Sequence, residues 1–519
     1  RGSRLPWGVR RGEAPSRQRQ TFDRRGVRKS GADFRSSRRP IVGLAVALGV
    51  LWAAPALPSE PPAVQAAFVL LGQSSEDGTM VPMVRVVVDG AGSACPSLAA
   101  ADGSSTGAPR LTPRLNPDPV HFPITVCEAR YPVGESFTVA GSMFLLPTVA
   151  SEMTDLVVLG DTGCKPSDQT CEPGSENWPF AGLVSAAAAE PPDAVLHMGD
   201  YNYRGTPGSI AIEGLPDKVA IYDAGDHAPQ GLCQATTAYY GQNSPGSELP
   251  DSWAAWQADF FEPAKPLLAA APWVFTRGNH ELCSRAGTGW FYLLDPSSTL
   301  LGGYTEQLSC PPATSPQPLV LSAPYLVDLG PIHLVSLDSA NACDSGLLHA
   351  DLYLNQFSVI ESLVAAAGDA DFVWLQTHRP FWGVDELDTL GACGPASSPE
   401  YCYLNQTLQY ARTHAPAVSA LGLVLSGHMH RFQAVAFPAG HPQQLVVGNG
   451  GVAMAGTHPK HTTQLEIDGV EATVMGTSEF GYLRLAVGDG AWTGTLYSTT
   501  GGTLASCGSG QVPFCALAE

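Results

Sequence analysis

From about residue 155 the chain repeats one unit: a short apolar run, a loop carrying glycine and polar side chains, then a helical stretch. Strands are expected at 156–159, 194–198, 273–276, 372–376 and 422–425. Helices are expected at 180–190, 253–261 (stopping at Pro263), 352–366 and 403–413. A hairpin fits 325–329 with 332–337. Alternation of this kind restricts the chain to an α/β domain, in which functional loops gather at the C-terminal ends of strands. What those loops carry then decides the chemistry.

The flanks differ from this middle. Residues 67–150 hold short Val-, Phe- and Thr-rich runs around a loop at 91–119, and read as a small β-rich N-terminal module without catalytic side chains. Beyond about 430 the chain is β-rich again. The expected division is a leader with signal peptide at 1–66, the β module at 67–150, the catalytic domain at 151–455, and a β-rich part at 456–519 that completes it.

Charge is distributed unevenly. Residues 1–40 carry 13 Lys+Arg against 3 Asp+Glu, and the remainder carries 15 against 45, giving the net −20. So acidic a body argues against nucleic acid as a partner, other than as a substrate. Residues 41–54 are apolar and follow Arg38-Arg39; they suit the core of a signal peptide, not a stable membrane anchor. Cleavage candidates are Val64-Gln65-Ala66, Ala54 and Ala56, and Ser37-Arg38-Arg39 is similar to a twin-arginine signal. No Met precedes Met80, so residue 1 is not expected to be the natural start. Twelve cysteines, with no CxxC spacing, read as a disulfide framework of a secreted or periplasmic protein. Close spacing suggests Cys164–Cys171, Cys393–Cys402, Cys507–Cys515 and Cys95–Cys127.

Five loops follow expected strands: Gly160-Asp161-Thr162-Gly163, Gly199-Asp200-Tyr201-Asn202-Tyr203, Arg277-Gly278-Asn279-His280-Glu281, Thr377-His378-Arg379-Pro380 and Gly427-His428-Met429-His430. If the last loop stays extended, His428 and His430 point the same way. With Asp161, Asp200, Tyr203, Asn279 and His378 they make seven N and O donors, enough for two metals sharing one carboxylate. Asp200, central in the set, is the natural bridge. A tyrosine ionises only above a pKa of about 10 unless a strong cation is near, so two carboxylates and a phenol converging without metal would repel. Paired metals suit in-line attack on a phosphate ester.

In this order the five blocks resemble the calcineurin-like metallophosphoesterase superfamily, and most closely its purple acid phosphatase branch. The wider superfamily has Asp-x-His in its first block; here Gly163 cannot ligate, and Tyr203 supplies the replacement that marks the branch. The resemblance implies a β-sandwich of mixed sheets flanked by helices. It implies an Fe(III)-like metal on Asp161, Asp200, Tyr203 and His430, and a divalent metal (Fe, Zn or Mn) on Asp200, Asn279, His378 and His428. His280 would contact the phosphate and protonate the leaving oxygen, and the substrate would be a small phosphate monoester. A phosphodiesterase or nucleotide pyrophosphatase on the same centre is the alternative; a non-catalytic exported protein binding metal or phosphate is a third reading. Arg379 and Arg277 are candidate phosphate contacts, with a structural role equally open. His197, Trp253 and Trp256 read as core, and the glycine-rich run 448–451 as a turn.

Overall fold

A computed structural model describes residues 62–518, apart from 74–79, 101–106, 205–250, 302–305, 311–319, 368–370, 385–404, 455–459, 511–513 and the positions 167, 284, 343, 345–346, 348, 416–417, 419 and 468. Residues 1–61 of the expected leader and the Cys393–Cys402 pair therefore lie outside the described residues, while Val64–Ala66, placed in the leader, begin the strand Val64–Gln73.

Two large sheets face one another, one of eleven strands and one of eight. At the centre of the first run three parallel strands, Asp155–Leu159, Ala194–His197 and Trp273–Phe275. The centre of the second is the parallel set Ile332–Leu337, Phe372–Thr377, Leu423–Ser426 and Gln443–Val447. These strands are apolar on both faces because both faces are covered. Leu156 and Val158 point inward to a core shared with Leu334, Trp374, Leu425 and Val447 of the opposite sheet. Their neighbours Val157 and Leu159 point outward, against Leu183, Trp256, Phe260 and Leu267. On the far side Val335, Leu375 and Val424 meet Tyr353, Phe357, Ile360 and Leu408. The result is the expected β-sandwich of mixed sheets between helical layers.

Both flanks extend these sheets. Strand Val64–Gln73 pairs with Trp273–Phe275 in parallel and with Met80–Asp89 in antiparallel, continuing to Ile124–Arg130. At the opposite edge Gly481–Gly488 pairs antiparallel with Asp155–Leu159. Strands His461–Ile467 and Val470–Thr477 add to the second sheet.

One boundary differs from expectation. The helix beginning at Trp253 does not stop at Pro263 but continues through Glu262–Ala270. A wide π-turn, Gln257–Phe261, precedes the proline, which then falls in the first turn of the resumed helix where its missing N–H costs nothing. The helix expected at 403–413 runs from Gln406 to Thr413, with the Asn405 side chain capping Leu408 N–H.

Disulfides join Cys95–Cys127, Cys164–Cys171 and Cys507–Cys515, as their spacing suggested. A fourth, Cys283–Cys310, spans 27 residues and carried no sequence signal. No helix among the described residues is long and apolar enough to cross a membrane.

Candidate metal centre

All five loops emerge where the parallel strands end. Tyr203 lies at their meeting point: its hydroxyl is 2.9 Å from Asp161 Oδ1, 2.9 Å from Asp200 Oδ2 and 3.1 Å from His430 Nε2. A second group adjoins it. His378 Nε2 is 3.3 Å from Asp200 Oδ2 and 2.8 Å from Asn279 Oδ1. The donors sort into two metal-competent sets, Asp161–Asp200–His430 and Asp200–His378–His428, with Asp200 in both. The structure thus brings together all seven donors expected from sequence.

Local backbone explains how. Asp161, Asp200, His428 and His430 all have positive φ (55°, 61°, 76° and 45°); among the described non-glycine residues only Asp489 shares this. Such conformations cost about 1–3 kcal/mol each and persist only where surroundings enforce them. The expectation of an extended Gly427–His430 segment fails for this reason. Left-handed backbone at both histidines turns the chain, and Met429 N–H donates to Gly427 O (3.0 Å). The two imidazoles consequently serve different groups, His430 beside Tyr203 and His428 beside His378.

Glu281 enforces the turn at Asp200, and sequence reasoning gave it no role. Its carboxylate accepts four backbone N–H groups, from Gly278, Asp200, Tyr201 and Asn202, at 2.9–3.2 Å. In return Asp200 Oδ1 accepts His280 N–H at 2.9 Å. The two loops lock each other. Gly278 is required at that contact, since a Cβ there would stand 2.1 Å from Asp200 Oδ1. Gly163 is equally constrained: a Cβ would fall 2.5 Å from Tyr201 O and 2.9 Å from the Tyr203 ring. The space a side chain would occupy at 163 is taken by the Tyr203 loop. The 448–451 run is more than a turn, because Gly450 N–H donates to Gly160 O (3.0 Å) and backs the first loop.

The electrostatics fit a cation. Burial and the neighbouring carboxylates make this an unfavourable place for several negative charges. Burial first, and then the repulsion of Asp200, pushes Asp161 well above the carboxylate range; Tyr203 is pushed up by burial and by both carboxylates. Burial also works to raise Asp200, but the charges of His378 and His280 outweigh it and leave the carboxyl low. His378 resists burial through Asp200 and is pushed up to about 9. Bound cations would relieve the like charges of this donor set and hold Asp161 and Tyr203 deprotonated.

His378 is oriented by its Nδ1, 2.7 Å from Met198 O, which leaves Nε2 facing the donors. His280 lies tilted against Tyr203 with ring centroids 4.0 Å apart, and its buried Nδ1 meets no hydrogen-bond partner among the described residues. The candidate phosphate contacts are both enclosed. Arg277 is buried, donating to Glu281 O, Val320 O and Asp338. Arg379 is fully buried beside Asp344 and His428. His197 is a core residue, its Nε2 2.9 Å from Thr162 Oγ1, and Trp253 and Trp256 are buried. Beyond Tyr203, Arg204 forms a two-point ion pair with buried Asp259, both contacts 2.8 Å.

Fold and site define a class: an α/β sandwich whose strand ends gather two buried Asp/His groups around one shared carboxylate. A family model described as calcineurin-like phosphoesterase matches residues 155–432, over half of the chain, and the chain belongs to that family. The family uses a dinuclear metal centre and comprises metal-dependent phosphoesterases. No curated protein matches the chain. Among solved structures it is similar to "GAP50 the anchor in the inner membrane complex of Plasmodium", at 11% identity and a TM-score of 0.37, over 71% of this chain and 89% of that chain.

Proposed function

We propose that the protein is an exported phosphatase of the purple acid phosphatase type, hydrolysing small phosphate monoesters. In this reading Fe(III) is held by Asp161, Asp200, Tyr203 and His430, and a divalent Fe, Zn or Mn by Asp200, Asn279, His378 and His428. The observation that carries it is the Tyr203 hydroxyl lying 2.9 Å from two carboxylates, beside a glycine at 163 where a Cβ would fall 2.9 Å from the tyrosine ring. A phenol in that position has one chemical use beyond a hydrogen bond, as a phenolate ligand to a hard trivalent cation.

Bound metals supply Lewis acidity toward phosphate oxygens and acidify water. The chain supplies the rest. Asp200 keeps the two groups in register, and the Glu281 carboxylate holds the loop that carries it. His280, whose buried Nδ1 meets no hydrogen-bond partner among the described residues, would contact the substrate phosphate and, once protonated, give that proton to the leaving oxygen. General acid catalysis of this kind contributes roughly two to four orders of magnitude in rate. The four disulfides among the described residues support an exported protein.

The test is a visible spectrum with parallel assays on p-nitrophenyl phosphate and its bis-ester. A phenolate-to-iron band absent in Tyr203→Phe, with faster monoester turnover, is expected. No such band in the metal-loaded wild type rules out the purple acid phosphatase assignment, and preferential bis-ester turnover makes the enzyme a diesterase.

A further inference from the structure

We propose that Asp344, held by Arg379, is a positioning residue that makes His428 a metal ligand and so sets how tightly the Asp200–His378–His428 group binds its cation. This rests on the two-metal reading above. Asp344 Oδ2 lies 2.5 Å from Arg379 Nη1 and 3.3 Å from His428 Nε2, and Arg379 Nη1 is 2.9 Å from that same Nε2. The Nε2 edge of His428 therefore meets this pair, and in this reading the cation would be taken on the other ring nitrogen, Nδ1.

The two neighbours demand opposite tautomers. When Arg379 donates to Nε2, that atom is an acceptor, the ring proton sits on Nδ1, and Nδ1 is closed to metal. When Nε2–H donates to Asp344, the proton has moved across the ring and Nδ1 presents its lone pair. A guanidinium only donates, so of these two neighbours it is Asp344 that selects the ligating form. Carboxylates play this part at other imidazole ligands, fixing the ring and raising its basicity. His378 is served differently, by the neutral carbonyl of Met198.

Asp344 is itself built in. Its Oδ1 accepts from Asn405 Nδ2 at 2.6 Å, and its backbone oxygen accepts from Gln406 N–H at 3.0 Å, so the start of helix Gln406–Thr413 fixes it. Arg379 is anchored by its own N–H on Ser339 Oγ (2.9 Å) and by Nη2 on Ala340 O (3.4 Å).

The experiment titrates metal-stripped full-length protein with Zn²⁺ by calorimetry, comparing wild type with Asp344→Asn. His378→Ala and His430→Ala mark which binding step belongs to which group. In Asp344→Asn the step abolished by His378→Ala should weaken about 10–100-fold, while the step abolished by His430→Ala keeps its affinity. Turnover of p-nitrophenyl phosphate should fall at limiting Zn²⁺ and recover in excess with KM unchanged, and the stripped variant, whose buried Arg379 loses its carboxylate partner, should melt below wild type in a single cooperative transition. An Asp344→Asn titration that superimposes on wild type overturns the positioning role. So does loss of both steps without a cooperative melt, which would assign Asp344 to the fold. A wild type that takes up no Zn²⁺ overturns the two-metal reading itself, a result distinct from wild type and variant binding alike.

Discussion

Strain at single residues marks the site before any chemistry is considered. Four of the five described non-glycine residues with positive φ are candidate ligands, and each donates from a loop that its neighbours clamp. Glu281 is the strongest clamp, because one buried carboxylate satisfies four backbone N–H groups. Removing it leaves those donors buried and unpaired, at about 1–3 kcal/mol each where they cannot reach water. Glu281→Ala should therefore lose at least ~3 kcal/mol in denaturant unfolding. Its metal affinity should fall too, since Asp200 is no longer held. A variant within 1 kcal/mol of wild type by the same measurement would show that the loop holds its shape without the carboxylate, contrary to this account.

Strands and loops show what was legible in sequence and what was not. The parallel strands were readable because both faces are buried, which leaves short unbroken apolar runs such as 156–159 and 194–198. The seven donors were readable because each directly follows such a run. The partners that orient them were not: Glu281 and Asp344 act through backbone groups and ring edges brought together by tertiary packing, which leaves no spacing pattern. The turn at His428–His430 was misjudged for the same reason, since nothing in Gly-His-Met-His announces left-handed backbone. The helix past Pro263 was hidden by a π-turn, which local propensity does not encode. Disulfide Cys283–Cys310 was missed although its separation of 27 is shorter than the 32 of Cys95–Cys127, because its cysteines share no small expected module of their own. It ties the segment after His280-Glu281 to a distant part of the chain, and closing a loop of that length is worth about 2–4 kcal/mol. Cys283→Ser with Cys310→Ser should lower unfolding free energy by that amount, and unchanged stability under the same denaturant titration would contradict it.

Across the whole molecule, the catalytic sheet is continued by strands from both ends of the described chain, so its stability reaches well beyond the family's matched region. A buried ionic cluster secures the N-terminal strands. Glu128 meets Arg85 at 3.3 Å and Arg114 at 2.6 Å, and those arginines also donate to the carbonyls of Phe291, Leu293, Asp295 and Ser297. Glu128→Ala strands two buried cations and should cost about 3–5 kcal/mol by thermal or denaturant unfolding; a cost under 1 kcal/mol would mean the cluster is not a fastening. The central claim is that one carboxylate, Asp200, joins two metal groups at the ends of these strands. Elemental analysis of purified wild type and Asp200→Ala tests it most directly. The account predicts two metals per chain in wild type and loss of both in Asp200→Ala, with phosphoesterase activity lost alongside. Wild type without metal, or Asp200→Ala retaining two, would contradict it.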